Sequence, residues 1–170
     1  LVPADRQQVL AAYRPALAKK GNPVAGREVF RKHCSACHRV DRIGVDVAPD
    51  IGDSRSKTMA QLLTAILDPN RAVDSNFFSY TIVTQSGRVL TGILVAETPS
   101  AVTLRQQEGK QLNVLREQIE MMKSNGISLM PVGLEKNIPI DRMADLLSFL
   151  KNWRYLDGRI PIRVPGTPSR

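Results

Sequence analysis

The sequence predicts a mainly α-helical domain interrupted by a small inserted β-sheet or barrel. Three observations predict it. Apolar residues recur at helical spacing at residues 56–67 and again at 141–153. Between these stretches, from residue 80 to residue 123, the apolar residues alternate instead with the period of a strand. A compact cluster, Cys34-Ser35-Ala36-Cys37-His38, stands at the end of a helical stretch, before the period changes.

Each element follows from local residues. Pro3 and Asp5 can open a first helix, along which Val9, Leu10, Tyr13 and Leu17 recur, although Pro15 should bend or interrupt it. Gly21-Asn22-Pro23 closes that segment, and residues 25–32 read as a second helix leading into Cys34. Residues 39–54 hold two glycines, one proline and four aspartates, which predicts an irregular loop. Residues 56–67 form an amphipathic helix with Met59, Leu62, Leu63, Ile66 and Leu67 inward, ended by Asp68-Pro69-Asn70.

Tyr80, Ile82 and Thr84 then alternate with Thr81, Val83 and Gln85 before a Ser86-Gly87 turn. Val89, Thr91, Ile93 and Val95 continue as a second strand. Shorter strands follow near 101–105, 111–115 and 118–123, separated by turn signals such as Glu108-Gly109. A closing helix over 141–153 turns Met143, Leu146, Leu147 and Leu150 to one side. From Asp157 onward, prolines and arginines predict an extended tail. The organisation expected is an N-terminal helical extension (1–21), a domain over 22–156 with 77–126 as an inserted β subdomain, and the tail (157–170).

Composition narrows the function classes. The chain is 42% hydrophobic, enough for one sizeable core, but has only one Trp, three Tyr and four Phe. A large flat cofactor would fill such a core. The net charge of +8 suits nucleic acid, an anionic membrane surface or an acidic protein partner. The charges are scattered, with no basic run of an arginine-rich arm and no zinc-finger or helix-turn-helix spacing, which argues against nucleic acid. The β block carries Arg105, Lys110, Arg116 and Lys123, yet beyond Tyr80 and the Phe77-Phe78 pair it lacks the aromatic platform of a single-strand binder. It also contains no His, Cys or Asp. No apolar run is long enough to span a membrane. Leu1 in place of Met suggests a processed or excised fragment.

The chemistry lies in Cys34 to His38, a Cys-x-x-Cys-His haem attachment signal. Two thiols three positions apart on a helical turn can each form a thioether with one vinyl group, and the next residue is placed to bring an imidazole nitrogen to the iron. A redox dithiol of thioredoxin type does not need the adjacent histidine and normally opens a helix beside a βαβ sheet. Half of a zinc site fails for lack of ligands, because His33 is the only other Cys or His in the chain. His33, next to the tethered Cys34, reads as a surface or propionate-side residue.

The sixth iron position is filled from elsewhere or left open. Met59 and Met143 lie on inward helical stripes, and Met121 and Met122 in the last strand. Met130 differs: it sits in Ser128-Leu129-Met130-Pro131-Val132-Gly133, a loop just before the closing helix. Proline restricts that loop, and a neutral thioether favours Fe(II), so a His38/Met130 iron suits electron passage.

With these residues in view, the sequence resembles a class I cytochrome c. Gly26 and Phe30 precede the attachment motif as in that family's first helix, and the resemblance implies that they pack against the last helix through Phe149 and Trp153. It also implies that Pro49, in Ala48-Pro49-Asp50-Ile51, lends its carbonyl to the Nδ1 of His38. The family's glycine before this proline is Ala48 here. A resemblance over nearly the whole length is to the haem-binding domain at the C-terminus of large dehydrogenase-like proteins of the planctomycete type. It rests on Gly26-Arg27-Glu28-Val29-Phe30, Cys34-Ser35-Ala36-Cys37-His38-Arg39-Val40, Ile66-Leu67-Asp68-Pro69-Asn70-Arg71, Gly87-Arg88-Val89-Leu90-Thr91-Gly92 and Ser128-Leu129-Met130-Pro131.

The function expected is that of a non-enzymatic single-electron carrier with one covalent haem c. Cys34, Cys37, His38, Pro49 and Met130 hold the cofactor, and His38 and Met130 ligate the iron. The expected partners are redox proteins with an acidic docking surface, met through Arg31, Lys32, Arg39 and Arg42, and an upstream dehydrogenase domain. The resemblance implies a periplasmic or otherwise exported setting. Two alternatives stand beside it: a haem protein with a labile or open sixth site, for small-ligand binding or weak peroxidase activity, and an interaction module whose β insertion docks a partner domain or covers part of the haem edge.

Overall fold

The computed structural model describes residues 4–40, 42–52 and 56–157. Among the described residues, four helices and a five-stranded sheet make a mixed α/β chain, consistent with a helical core into which a sheet is inserted.

Helix α1 (Ala4–Tyr13) passes into a 3-10 turn over Arg14–Leu17, with Pro15 at its start. Proline has no N–H to continue the α ladder, so the helix tightens there and ends. Helix α2 (Pro23–His33) starts where Asn22 accepts hydrogen bonds from the amides of Val24 and Ala25, and Arg31, Lys32 and His33 fill its last turn, at the negative end of the helix dipole. Helix α3 is Met59–Leu67, three residues shorter at its start than the apolar periodicity suggests. Thr58 sets that start. Its hydroxyl accepts from the Gln61 amide at 3.2 Å, and the Gln61 side chain accepts from the Thr58 amide at 2.7 Å. Helix α4 (Ile140–Asn152) closes the core.

The helical core forms where α2 crosses α4. The Phe30 and Phe149 rings lie 5.5 Å apart at a 49° tilt, both fully buried. Gly26 allows the crossing, because a Cβ there would fall 1.9 Å from the Asp145 carbonyl oxygen. Leu62, Leu63 and Leu67 of α3 and Met143, Leu146, Leu147 and Leu150 of α4 complete this core, with Val9, Leu10, Tyr13 and Leu17 packed on it. Trp153 also packs on it, and its indole donates to the Gly52 carbonyl at 3.3 Å.

Within the stretch expected to be irregular, β1 (Arg39–Val40) pairs antiparallel with β2 (Ile43–Gly44). Strands of two residues leave no periodicity to read. The inserted sheet comprises β3 (Phe78–Thr84), β4 (Val89–Glu97), β5 (Ala101–Arg105), β6 (Gln111–Leu115) and β7 (Ile119–Ser128), antiparallel in the order β6-β5-β4-β3-β7. A three-residue 3-10 turn, Arg116–Gln118, joins the strands at the two outer edges, so the sheet must curl to bring those edges toward each other. Ile82, Val102, Leu104 and Val114 form its separate core. Strand β7 runs past the expected end at 123 and delivers the chain to Met130. No helix among the described residues is long and apolar enough to cross a membrane. Of the expected tail, residues 158–170 lie outside the described residues.

Candidate haem-attachment site

The Cys34–His38 segment is one tight turn continuing from α2. The amides of Cys34 and Ser35 donate to the Phe30 carbonyl, and those of Cys37 and His38 donate to the Cys34 carbonyl at 3.1 and 2.9 Å. The carbonyls that remain are met from outside. Ser35 accepts from the Val45 amide at 3.2 Å, and Cys37 accepts from the Val47 and Ala48 amides at 3.0 and 2.9 Å. Ala36 accepts from the Glu108 amide at 2.7 Å, across from the inserted sheet. Gly44, at φ +89°, backs the turn so closely that a Cβ would lie 2.1 Å from the His38 carbonyl oxygen. The turn is therefore held rigidly on each carbonyl from Cys34 to Cys37.

His38 is half-buried, and its Nδ1 lies 3.0 Å from the Pro49 carbonyl. A carbonyl can only accept, so Nδ1 carries the proton and the lone pair resides on Nε2. Burial lowers the His38 pKa, and the bond to Pro49 partly opposes that shift. Burial thus favours the neutral ring, and the Pro49 contact selects the tautomer a metal requires. His33, half-buried at the end of α2, is lowered by burial and by Lys32.

The five methionines sort by environment. Met143 is fully buried, Met59 packs on the helical core, Met122 packs on the sheet core and Met121 is 47% exposed. Met130 is half-buried between β7 and the 3-10 turn Leu134–Lys136. Its amide donates to the Ser128 hydroxyl at 3.0 Å, and the Ser128 amide donates to the Asn70 side chain at 2.9 Å, just beyond α3. The loop is thereby tied to the helical core on its upstream side.

The donor set fits a c-type haem better than its rivals. Cys34 and Cys37 are unbridged thiols. Burial first, and the Cys37 charge second, push the Cys34 thiol up to about 12. A redox dithiol needs a depressed pKa, and this environment does the opposite. Among the described residues no group of three or more His, Cys, Asp or Glu is placed to hold a metal ion by itself. Two tethering thiols plus one oriented imidazole is what a covalent haem needs.

Two sets of contacts lay beyond sequence reasoning. The first docks the sheet on the attachment region: besides the Glu108–Ala36 bond, Arg105 Nη1 donates to the Asp46 carbonyl at 3.0 Å. Ile93, paired with Arg105 across β4 and β5, and Val47, next to Asp46, are both buried although neither belongs to the two main cores. The second set joins α1 to the residues after Met130. Arg6 Nη2 lies 3.0 Å from Glu135 Oε1, and the Tyr13 hydroxyl lies 2.8 Å from both the Glu135 and Ile138 carbonyls. The available signal was Arg6 itself, an arginine one helical turn before Val9 and Leu10 on the inward stripe.

No curated protein gives a significant match to the chain. Residues 23–80, from the start of α2 into β3 and including Cys34, Cys37, His38 and Pro49, match the family model for cytochrome c, so this stretch is similar to that family.

Proposed function

We propose that this chain is a single-electron carrier of class I cytochrome c type, with one covalent haem c tethered by Cys34 and Cys37 and ligated axially by His38 and Met130. The observation that carries the reading is the His38 Nδ1–Pro49 carbonyl contact at 3.0 Å, within an attachment turn whose carbonyls from Cys34 to Cys37 are all engaged. When bound, the haem supplies a one-electron Fe(III)/Fe(II) couple.

The protein's own part is positional. Pro49 fixes the His38 ring and strengthens its donation through Nε2. Ser128 and Asn70 hold the Met130 backbone. The Glu108 turn and the Arg105–Asp46 contact seat the sheet against the attachment region. A rigid setting keeps reorganisation small when the charge changes.

The basic surface beside the turn is the proposed docking face. Arg31, Lys32, Arg39 and Arg42 are exposed, and Arg31 and Arg42 rim an open cavity floored by Val40, Ile43, Phe149 and Trp153. Arg31 also bonds Glu28 and Arg39 bonds Asp46, each at 2.9 Å. Such a face suits an acidic redox partner. The resemblance to the C-terminal haem domain of large dehydrogenase-like proteins supports an exported setting and a dehydrogenase donor.

The test is production of the chain in a host that matures c-type cytochromes, followed by mass and spectral analysis. One haem retained under denaturing conditions, lost in Cys34→Ala/Cys37→Ala, supports the proposal. A chain that never acquires covalent haem overturns it.

A further inference from the structure

Helix α1 lies outside the stretch similar to cytochrome c, yet two of its side chains are spent on the segment that follows Met130. Arg6 keeps only 10% of its side chain exposed and Glu135 only 11%. Besides its contact with Glu135, Arg6 donates through Nη1 to the Leu67 carbonyl at the end of α3, at 3.2 Å. One guanidinium therefore bridges α3 and the 3-10 turn Leu134–Lys136. Tyr13, a helical turn or two further along, grips the same turn from the other end of α1 through the Glu135 and Ile138 carbonyls.

The Met130 loop is thus fastened on both sides. Upstream, Ser128 is tied to Asn70; downstream, Glu135 is tied to Arg6 and Tyr13. Both ties lead back to α3, through Leu67 on one side and Asn70 just beyond it on the other. Within the span, Pro131 has a fixed φ and Gly133 adopts φ +101°, a left-handed value that lets the chain turn toward Glu135. A loop with both ends fixed loses little further entropy when its side chain takes up a ligand position.

We propose that Arg6 and Tyr13 are positioning residues for Met130: α1 is a clamp that holds the methionine loop in its ligating position. This rests on the reading of Met130 as the axial ligand. Removing Arg6 leaves Glu135 buried without its counter-charge, and removing the Tyr13 hydroxyl takes away the one donor that the Glu135 and Ile138 carbonyls share; each change loosens the loop from its downstream side.

The experiment uses the full haem-loaded chain and its Tyr13→Phe, Arg6→Gln and Met130→Ala variants. Two quantities are followed: the far-red methionine-to-iron band during urea titration, alongside helical circular dichroism, and the rate of cyanide capture by the oxidised protein. Tyr13→Phe and Arg6→Gln should lose the band at urea concentrations where the helices persist, and should capture cyanide about tenfold faster or more, as expected when a buried pair is broken. Met130→Ala should lack the band without urea. Should Met130→Ala keep the band, the ligand assignment fails and the clamp with it. Should Met130→Ala lose the band while the α1 variants capture cyanide at the wild-type rate, or lose band and helicity together, the clamp alone is overturned.

Discussion

The Glu108 amide donates to the Ala36 carbonyl at 2.7 Å, joining a turn of the inserted sheet to a residue between the two cysteines. Residues 36 and 108 are far apart in the chain, and the bond makes the sheet part of the attachment site. Glu108 accepts a left-handed φ of +61° to do so, the one non-glycine among the described residues with positive φ. Such a conformation stores about 1–3 kcal/mol in a non-glycine residue.

Substitution at Glu108 separates strain from contact. Glu108→Gly keeps the donor and relieves the strain, and should leave thermal stability unchanged or raised by about 1 kcal/mol. Glu108→Pro removes the donor and forbids the positive φ, so it should release the turn. Hydrogen exchange at residues 34–38 should then accelerate in the proline variant and not in the glycine variant. Equal exchange in both would show that the sheet does not brace the attachment turn.

The α2–α4 crossing should govern overall stability. Phe149→Ala empties a fully buried site beside Phe30 and should cost about 3–5 kcal/mol in denaturant unfolding. Gly26→Ala pushes a methyl into the Asp145 backbone and should destabilise by about 1–3 kcal/mol despite its small size. A Gly26→Ala loss below about 0.5 kcal/mol, the range of surface changes, would mean that the helices do not meet as closely as described.

Tyr13 gives a pH signature. Burial first, and the Glu135 charge second, raise its pKa above 10.0. The folded chain therefore favours the neutral hydroxyl. Its stabilisation is complete below pH 10 and is lost as pH rises through the raised value. Wild-type unfolding free energy should decline across that alkaline window, and Tyr13→Phe should lessen the slope there. An identical slope in both proteins would exclude Tyr13 from the alkaline response.

Docking through the basic face should be salt-dependent. Electron exchange with an acidic protein partner should slow as ionic strength rises, and Arg31→Gln/Arg42→Gln should flatten that dependence. Stopped-flow rates at several salt concentrations measure it. A salt-independent rate would place the docking face elsewhere.

Much of this architecture was legible in residue patterns, because apolar stripes encode helix faces and strand alternation directly. The haem-attachment reading of Cys34 to His38 comes from residue types and spacing alone, because these are what such attachment requires. Periodicity alone places the start of α3 three residues too early, whereas the Thr58–Gln61 capping box marks where it begins. The β1–β2 pair was too short to show a period. The Glu108–Ala36 bond was invisible for a deeper reason: both partners are backbone atoms, which every residue possesses. The Arg6–Glu135 pair joins residues whose proximity depends on how α1 packs, so neither charge announces the other.

The most direct test of the central claim is the redox-dependent absorption spectrum of the haem-loaded chain and of Met130→Ala. The account predicts a low-spin spectrum in both redox states of the wild type, with a far-red methionine-to-iron band when oxidised that vanishes in the variant. A high-spin wild-type spectrum with rapid cyanide or CO binding would contradict His38/Met130 ligation and point to an open ligand-binding haem.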